Sequence, residues 1–472
     1  MKKEEQLTTK RKALDINLSS GIYGTLAEIG GGQEVARSFF QAGGASGTIA
    51  KSISAYDKTF SDHLYNNNQP GRYVSKERLN LMLDHEFKQL NTILETSKND
   101  NTCFFVFADT VETLNYSKTN EGHGWLGVQF QLTPNEQPNT VIVHVNLKEN
   151  DQLLQQYTLG TLGVNLIYAC FNYTENSNQF LLSLLDNLDT DRADINMISM
   201  TGPSLNHIDN RLLSVKLIKN CMTNATMFDK NGKVQQPAEM LYKKNVLAFR
   251  GSFRPITYAG LDMLKTSFEL FRKDKTYNMD NTISMCEITV NNLLYEGDFD
   301  EKDFLDRVDL LNAVGLNVMV SNFKEYYRLS QYFSQFRIQK LRIVMGATTL
   351  LNIFNPDYYK DMKGGIMEAF GKLFYNNLKL YIYPAINENT NQILTIENLE
   401  IPKKLQFLYQ HLTCNKMIVD VPNADKDTMK IFSRRVFQLI NENKEDWESM
   451  VPDFVSNIIK DRQLFGYKKK QI

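Results

Sequence analysis

No run of this chain is apolar for long enough to cross a bilayer. The longest strongly apolar stretches, LIYACF (166–171) and NVMVSN (317–322), fall far short of the roughly 20 residues a membrane helix needs. No apolar segment of secretory length backs the charged opening MKKEEQLTTKRKALDINLSS, so a cytoplasmic protein with no membrane partner is expected. Cysteine is scarce. The five residues Cys103, Cys170, Cys221, Cys286 and Cys414 are odd in number, widely spaced and without a C-x-x-C, which argues against a disulfide framework or a zinc ribbon and for reduced, mostly core thiols. An excess of one charge is missing too: 53 Lys and Arg face 54 Asp and Glu, so no overall field draws the chain to nucleic acid. Only six histidines are available for acid–base work.

What is present is material for a large core. With 472 residues, 42% of them apolar, the chain is too long for one ordinary domain. The first hundred residues read as mainly helical: SKERLNLMLDHEFKQLNTILETS (75–97) has 3.6-residue periodicity behind a Ser cap, and YNNNQPGRY (65–73) is turn chemistry. Short β-rich runs follow in TCFFVFADT, GWLGVQFQL and NTVIVHVNL. From ADINMISMTG to LKLYIYP strands and helices alternate, and the end turns mostly helical. This pattern predicts an α/β protein with largely parallel sheets built from βαβ units. It divides the chain into a mainly helical region over 1–100, a mixed α/β domain over 101–240 and an α/β domain with a helical end over 241–472.

The stretch GSFRPITYAG (251–260) stands at the end of a predicted strand and leads into a helix, where open α/β sheets place ligands. Arg250 and Arg254 bracket a turn carrying Gly251, Ser252 and Thr257, a group of residues suited to an anion. Two glycine clusters nearer the N-terminus invite phosphate-loop readings. Gly30 and Gly32 lack the third glycine of a dinucleotide fingerprint; Gly43, Gly44 and Gly47 stand three residues too far from Lys51 for a P-loop. An anion nest formed by these glycines with Lys51 and Arg37 remains open, beside a reading as helix breaks and close packing.

Among possible acids and bases, His123 in NEGHGW follows the strand that holds Asp109 and is placed in a loop beside Glu121. His144 lies within a β pattern and reads as structural. The loop SMTGPSLNHIDNR offers Gly202, Ser204 and His207 as a ligand rim, but Ser, His and Asp close in sequence do not make a triad, and no G-x-S-x-G elbow supports one. The acidic stretch 294–309 lacks calcium-loop spacing and reads as the charged start of a helix. No metal site is expected, and no cofactor is identified.

GSFRPI resembles the first motif of the nucleotidyltransferases with an H-x-G-H signature, in Gly251, Ser252, Phe253, Pro255 and Ile256. Thr257 stands where the first histidine of that motif would be, and Leu261 ends a spacing one residue too long for the second. IFSRRV (431–436) echoes the family's second motif out of register. Across nearly its whole length, notably in IYGTLAEIGGGQEVARSFFQAGGASGTIAKSISAYD, FADTVETLNYSKTNEGHGWLGVQFQ and DFLDRVDLLNAVGLNVMVSN, the chain resembles a family of uncharacterised bacterial cytoplasmic proteins often labelled nicotinate-nucleotide adenylyltransferase. The resemblance implies a nucleotide-binding α/β scaffold whose transferase histidines are absent here. The expected function is binding of a phosphate-bearing metabolite or nucleotide without intact nucleotidyltransferase chemistry. The alternative is a non-catalytic assembly or regulatory protein, a homo-oligomer whose 11% aromatic content supplies interface anchors.

Overall fold

The computed structural model describes residues 6–94, 101–275, 277–294, 299–375, 377–387 and 390–469. It divides into two compact units, Met1–Asn224 and Ala225–Ile472.

The first unit runs through α1 (Thr9–Asn17), β1 (Ile22–Gly30), α2 (Glu34–Ala42), β2 (Ile49–Ser54), α3 (Lys58–Tyr65) and α4 (Lys76–Leu94). It continues with β3 (Cys103–Glu112), β4 (Gly122–Phe130), β5 (Asn139–Leu147), α5 (Gln152–Asn172), α6 (Ser177–Leu184), β6 (Ala193–Thr201) and α7 (Asn210–Lys219). The six strands form one sheet in the order β2-β1-β3-β4-β5-β6. β1 pairs parallel with β2 and β3, and the other neighbours are antiparallel. Side chains alternate between faces along each strand. Phe105, Phe107 and Asp109 point toward the α2 and α5 side, where Gly163 of α5 meets Phe107 and Gly32 meets Asp109. The other face packs on α4, whose Leu79 and Leu83 lie over Gly127 of β4.

The second unit opens with β7 (Ala225–Phe228), β8 (Val234–Gln235), α8 (Pro237–Leu241), β9 (Asn245–Arg250), α9 (Tyr258–Arg272), β10 (Thr282–Thr289), α10 (Val290–Leu294), α11 (Glu301–Ala313) and β11 (Asn317–Ser321). Next come α12 (Tyr326–Ser334), β12 (Lys340–Gly346), α13 (Ala347–Ile353), α14 (Gly365–Leu373), β13 (Leu378–Tyr383) and a small pair, β14 (Ala385–Ile386) with β15 (Ile393–Leu394). The end holds α15 (Gln406–Cys414), β16 (Ile418–Asp420), α16 (Ser433–Asn441) and α17 (Asp453–Arg462). The main sheet has the order β16-β13-β12-β9-β10-β11-β7-β8, parallel from β16 to β11 and antiparallel at β7 and β8. After β9 the chain winds one way through β10 and β11, then crosses to β12 on the other side. The carboxyl end of β9 is thus a topological switch point.

The α/β class with largely parallel strands holds for both units taken together. The division differs from the one read in the sequence: β1 and β2 fall inside the region read as mainly helical and pair with the sheet of β3–β6. The change of unit comes at Asn224/Ala225, before the polar stretch near 240. Among the described residues no helix is long and apolar enough to cross a membrane. All five cysteines are free; Cys170 and Cys286 are buried, Cys103 is half-buried, and Cys221 and Cys414 are exposed, so fewer are core residues than composition suggests.

Candidate functional site

A cavity of about 800 Å³ opens in the first unit at the carboxyl ends of β1 and β3, with Gly30, Gly31, Arg72, Tyr116, His123 and Gln156 on its wall. Its position follows from the topology: β1–β3 run parallel, so their carboxyl ends lie together, and β4 turns back beside them. Arg72 is exposed and has no carboxylate partner among the described residues. Tyr56 and Tyr116, also on the wall, are both strongly exposed, and Gln152 and Gln156 bring amides from the first turns of α5.

His123 is not in a loop beside Glu121. It is the second residue of β4, directly opposite Glu112 on β3, with Nε2 3.9 Å from Glu112 Oε2. The His144 ring is its diagonal neighbour on β5, reached at 3.3 Å from His123 Nδ1 to His144 Nε2. His144 Nδ1 lies 2.8 Å from Asn196 Oδ1. The β5–β6 ladder shifts register between His144 and Val145, so that Asn196 is the extra residue between Ile195 and Met197. Such a bulge re-aims one side chain, and here it brings Asn196 onto the imidazole. Burial lowers the pKa of His123, with Glu112 opposing and Arg72 reinforcing. Burial, helped by His123, lowers His144 to about 3. Both rings are therefore neutral at pH 7. His144, read from the sequence as structural, is thus both buried in a strand and wired to the cavity.

Asp109 does not join them. Three residues before Glu112 on β3, it points to the opposite face, where a Cβ on Gly32 would lie 2.3 Å from its carboxylate oxygens. It is fully buried, neither oxygen accepts a hydrogen bond of normal geometry, and burial pushes its pKa well above the carboxylate range, with Glu28 adding to the rise and the Ile29 backbone N–H opposing it. Glu28, opposite Asp109 on β1, accepts from Val35 N and Ala36 N at 3.0 Å each and is pushed up to about 7, mainly by burial. A carboxylate of the chain itself therefore fills the anion position at the N-terminus of α2. A phosphate at the Gly30–Gly32 loop would compete with it.

The second glycine cluster follows the C-terminus of α2. Asn17 Nδ2 donates to Phe39 O and Gly43 O, and Gly43 and Gly44 take positive φ of 91° and 74° as the chain leaves the helix. Lys51 points from β2 to α4, paired with buried Glu86 and bonded to Gln89, so it does not meet Gly43, Gly44 or Gly47 around an anion. Arg37 is held by Glu34. Gly202 and Ser204 lie at the opposite end of the sheet from His123, because β6 runs antiparallel to β3; Asn139 bonds both the backbone N–H and the Oγ of Ser204. His207 is exposed in that loop, and Asp209 is spent on capping α7 and pairing with Arg211.

In the second unit, GSFRPIT occupies the switch point that its sequence suggests, but its cations are matched internally. Arg250 makes two 2.9 Å bonds to Glu287, which also accepts from Ser321 Oγ at 2.6 Å, and lies 4.3 Å from the centre of the Tyr326 ring. Arg254 bonds Asp303, lies 3.6 Å from the centre of the Phe437 ring, and is followed by a cis bond to Pro255. Thr257 caps α9, accepting from Gly260 N at 3.3 Å, while Arg307 donates to the carbonyl of Ser252. Phe253, in the left-handed region at φ 49°, is buried edge-on against Phe249. The set Arg250, Gly251, Ser252, Arg254 and Thr257 forms a tied strand-to-helix turn. Asp300 caps α11, as the acidic stretch suggested; residues 295–298 of that stretch lie outside the described residues.

Arg72, Glu112 and Asn196 are the residues that sequence reading missed. Arg72 was hidden in turn chemistry, and the other two sit in strands, where only tertiary pairing shows their partners.

No protein-family model matches the chain, and no curated protein matches it. Among solved structures, similarity is found to competence/damage-inducible protein CihA from Agrobacterium tumefaciens, at 14% identity over 37% of this chain and 94% of that one, with a TM-score of 0.24. A competence-damaged protein (CinA) superfamily protein from Klebsiella pneumoniae is 12% identical over 34% of this chain and 96% of its own, with a TM-score of 0.26. One from Escherichia coli is 15% identical over 38% and 91%, with a TM-score of 0.25. At such values the functional reading rests on the side chains of the site.

Proposed function

We propose that the protein binds a phosphate-bearing small molecule, a metabolite or nucleotide, in the cavity at the carboxyl ends of β1 and β3, without nucleotidyltransferase chemistry. The observation that carries this is Arg72, an exposed guanidinium on the wall of an 800 Å³ cavity with no carboxylate partner among the described residues. Arg250 and Arg254, by contrast, already hold carboxylates. A planar guanidinium suits a phosphate bidentately, and Tyr56 and Tyr116 offer faces for a base or sugar. Thr257 and Leu261 supply no positive charge for a transferring phosphoryl group, and Thr257 is used as a helix cap.

Thermal shift against inorganic phosphate, ribose 5-phosphate and AMP tests this. A ligand at 100 times its Kd stabilises by about 2.7 kcal/mol. Arg72→Ala should weaken binding by about 10- to 100-fold, the worth of a charge-assisted hydrogen bond, while leaving the unliganded melting temperature unchanged. Absence of a shift with all three compounds would sink the reading.

A second reading, self-association, is favoured by one observation: Leu153, Leu154 and Tyr157 are exposed together at the start of α5. Light scattering should then show a defined oligomer that Leu153→Glu with Leu154→Glu reduces to monomer; a monomeric parent chain rejects it.

A further inference from the structure

The hydrogen-bond chain from Asn196 to His123 has a direction. Asn196 Oδ1 can only accept, so the proton between it and His144 sits on His144 Nδ1. A neutral His144 then carries a lone pair on Nε2, and the 3.3 Å approach of His123 Nδ1 to that atom places the His123 proton on Nδ1. The remaining nitrogen, His123 Nε2, is left with a lone pair. Glu112 does not draw a proton onto it, since 3.9 Å is beyond hydrogen-bond reach, and Glu112 Oε1 already accepts from Asn120 at 2.7 Å. Tyr56, Tyr73 and Tyr116 line the same cavity; among the described residues the other groups acting on His123 are His144 on β5 and the cation Arg72 in the segment before α4. Neither supplies a proton to Nε2: His144 is neutral and Arg72 keeps its own.

We infer that His123 Nε2 is a fixed hydrogen-bond acceptor in the cavity and that the ligand presents a hydroxyl to it beside the phosphate held by Arg72, as a sugar or polyol phosphate does. This rests on the phosphate-site reading above. Arg72 supplies the anion contact, His123 Nε2 takes the hydroxyl proton into a hydrogen bond, and Asn196 acts as a positioning residue through His144. Protonation of His123 turns Nε2 from acceptor to donor, so the ligand hydroxyl donates to His123 at neutral pH and would have to accept from it in acid.

Two measurements test it. Long-range proton–nitrogen NMR of the full chain labelled at histidine should show His123 with Nδ1 protonated and Nε2 bare at pH 7.5, and Asn196→Leu should scramble that tautomer. A protonated Nε2 in the parent chain overturns the inference. Calorimetry at pH 7.5 should show ribose 5-phosphate binding about 10-fold tighter than methyl phosphate, whose dianion carries no hydroxyl, the discrimination of one well-made hydrogen bond. His123→Phe should erase that advantage, so that ribose 5-phosphate binds this variant no tighter than methyl phosphate does. If methyl phosphate binds but ribose 5-phosphate gains nothing, or keeps its advantage in His123→Phe, the inference fails while the phosphate site stands. If the parent chain binds neither, the phosphate site fails and takes this inference with it.

Discussion

Glu287→Leu is expected to destabilise the second unit by about 3–5 kcal/mol, the range found when one partner of a buried ion pair is removed. Glu287 is fully buried in β10 and holds Arg250 through both of its oxygens. Without it the Arg250 guanidinium keeps the Lys324 carbonyl, the Tyr326 ring and the more distant charge of Glu325, which Arg328 already holds. Ser321 Oγ loses its acceptor as well. Replacing both partners, Glu287→Leu with Arg250→Met, removes the stranded charge and should recover most of the loss. Urea unfolding of the four proteins in the cycle measures this. Equal damage from the single and double variants would show that packing, not charge pairing, is what Glu287 supplies. The outcome also bears on function, because an Arg250 committed to this pair is not available to an anion.

That pair shows where a single sequence stops being legible. The turn GSFRPIT, its strand β9 and the capped helix α9 are all local features, and they stand where the residue pattern puts them. The partners of its two arginines are not local: Glu287 is on the next strand and Asp303 on a later helix. Nothing in sequence spacing says that either arginine is neutralised. β2 was missed for a different reason. It is an edge strand with alternate half-buried and exposed residues, and its only apolar signal is Ile49 and Ile53 behind a glycine-rich stretch. His144 was read correctly as a strand residue, yet its contact with His123 depends on a diagonal pairing and a bulge set by two neighbouring strands. Arg72 lies in a segment where Asn, Pro and Gly report only a turn; its value comes from having no carboxylate within ion-pair distance among the described residues, which only three-dimensional neighbours can establish.

Asp109→Asn should stabilise the first unit, by an amount that grows with pH. In the folded chain the Asp109 pKa stands well above 3.8 because burial, aided by Glu28, disfavours its charge. Between its unfolded and folded values the native state therefore holds a proton that the unfolded chain releases, and stability falls as pH rises. The cost is absent below about pH 4 and increases upward by about 1.4 kcal/mol per pH unit while Asp109 stays protonated when folded. Asparagine removes this term. Its amide brings two N–H donors where the protonated carboxyl has one O–H, a cost that lowers the gain equally at every pH and leaves its slope unchanged. Glu28→Gln supplies the contrast: Glu28 rises only from 4.5 to about 7, so the gain from its removal should level off above pH 7, offset by a weaker cap on Val35 and Ala36. His144 acts with the opposite sign. Its lowered pKa destabilises the fold as pH drops below 6.5, but it is common to parent and variants and cancels in their difference. Denaturant unfolding at pH 5, 6, 7 and 8 should give a gain for Asp109→Asn that keeps rising past pH 7; a gain independent of pH would mean that Asp109 is ionised and compensated in the folded protein.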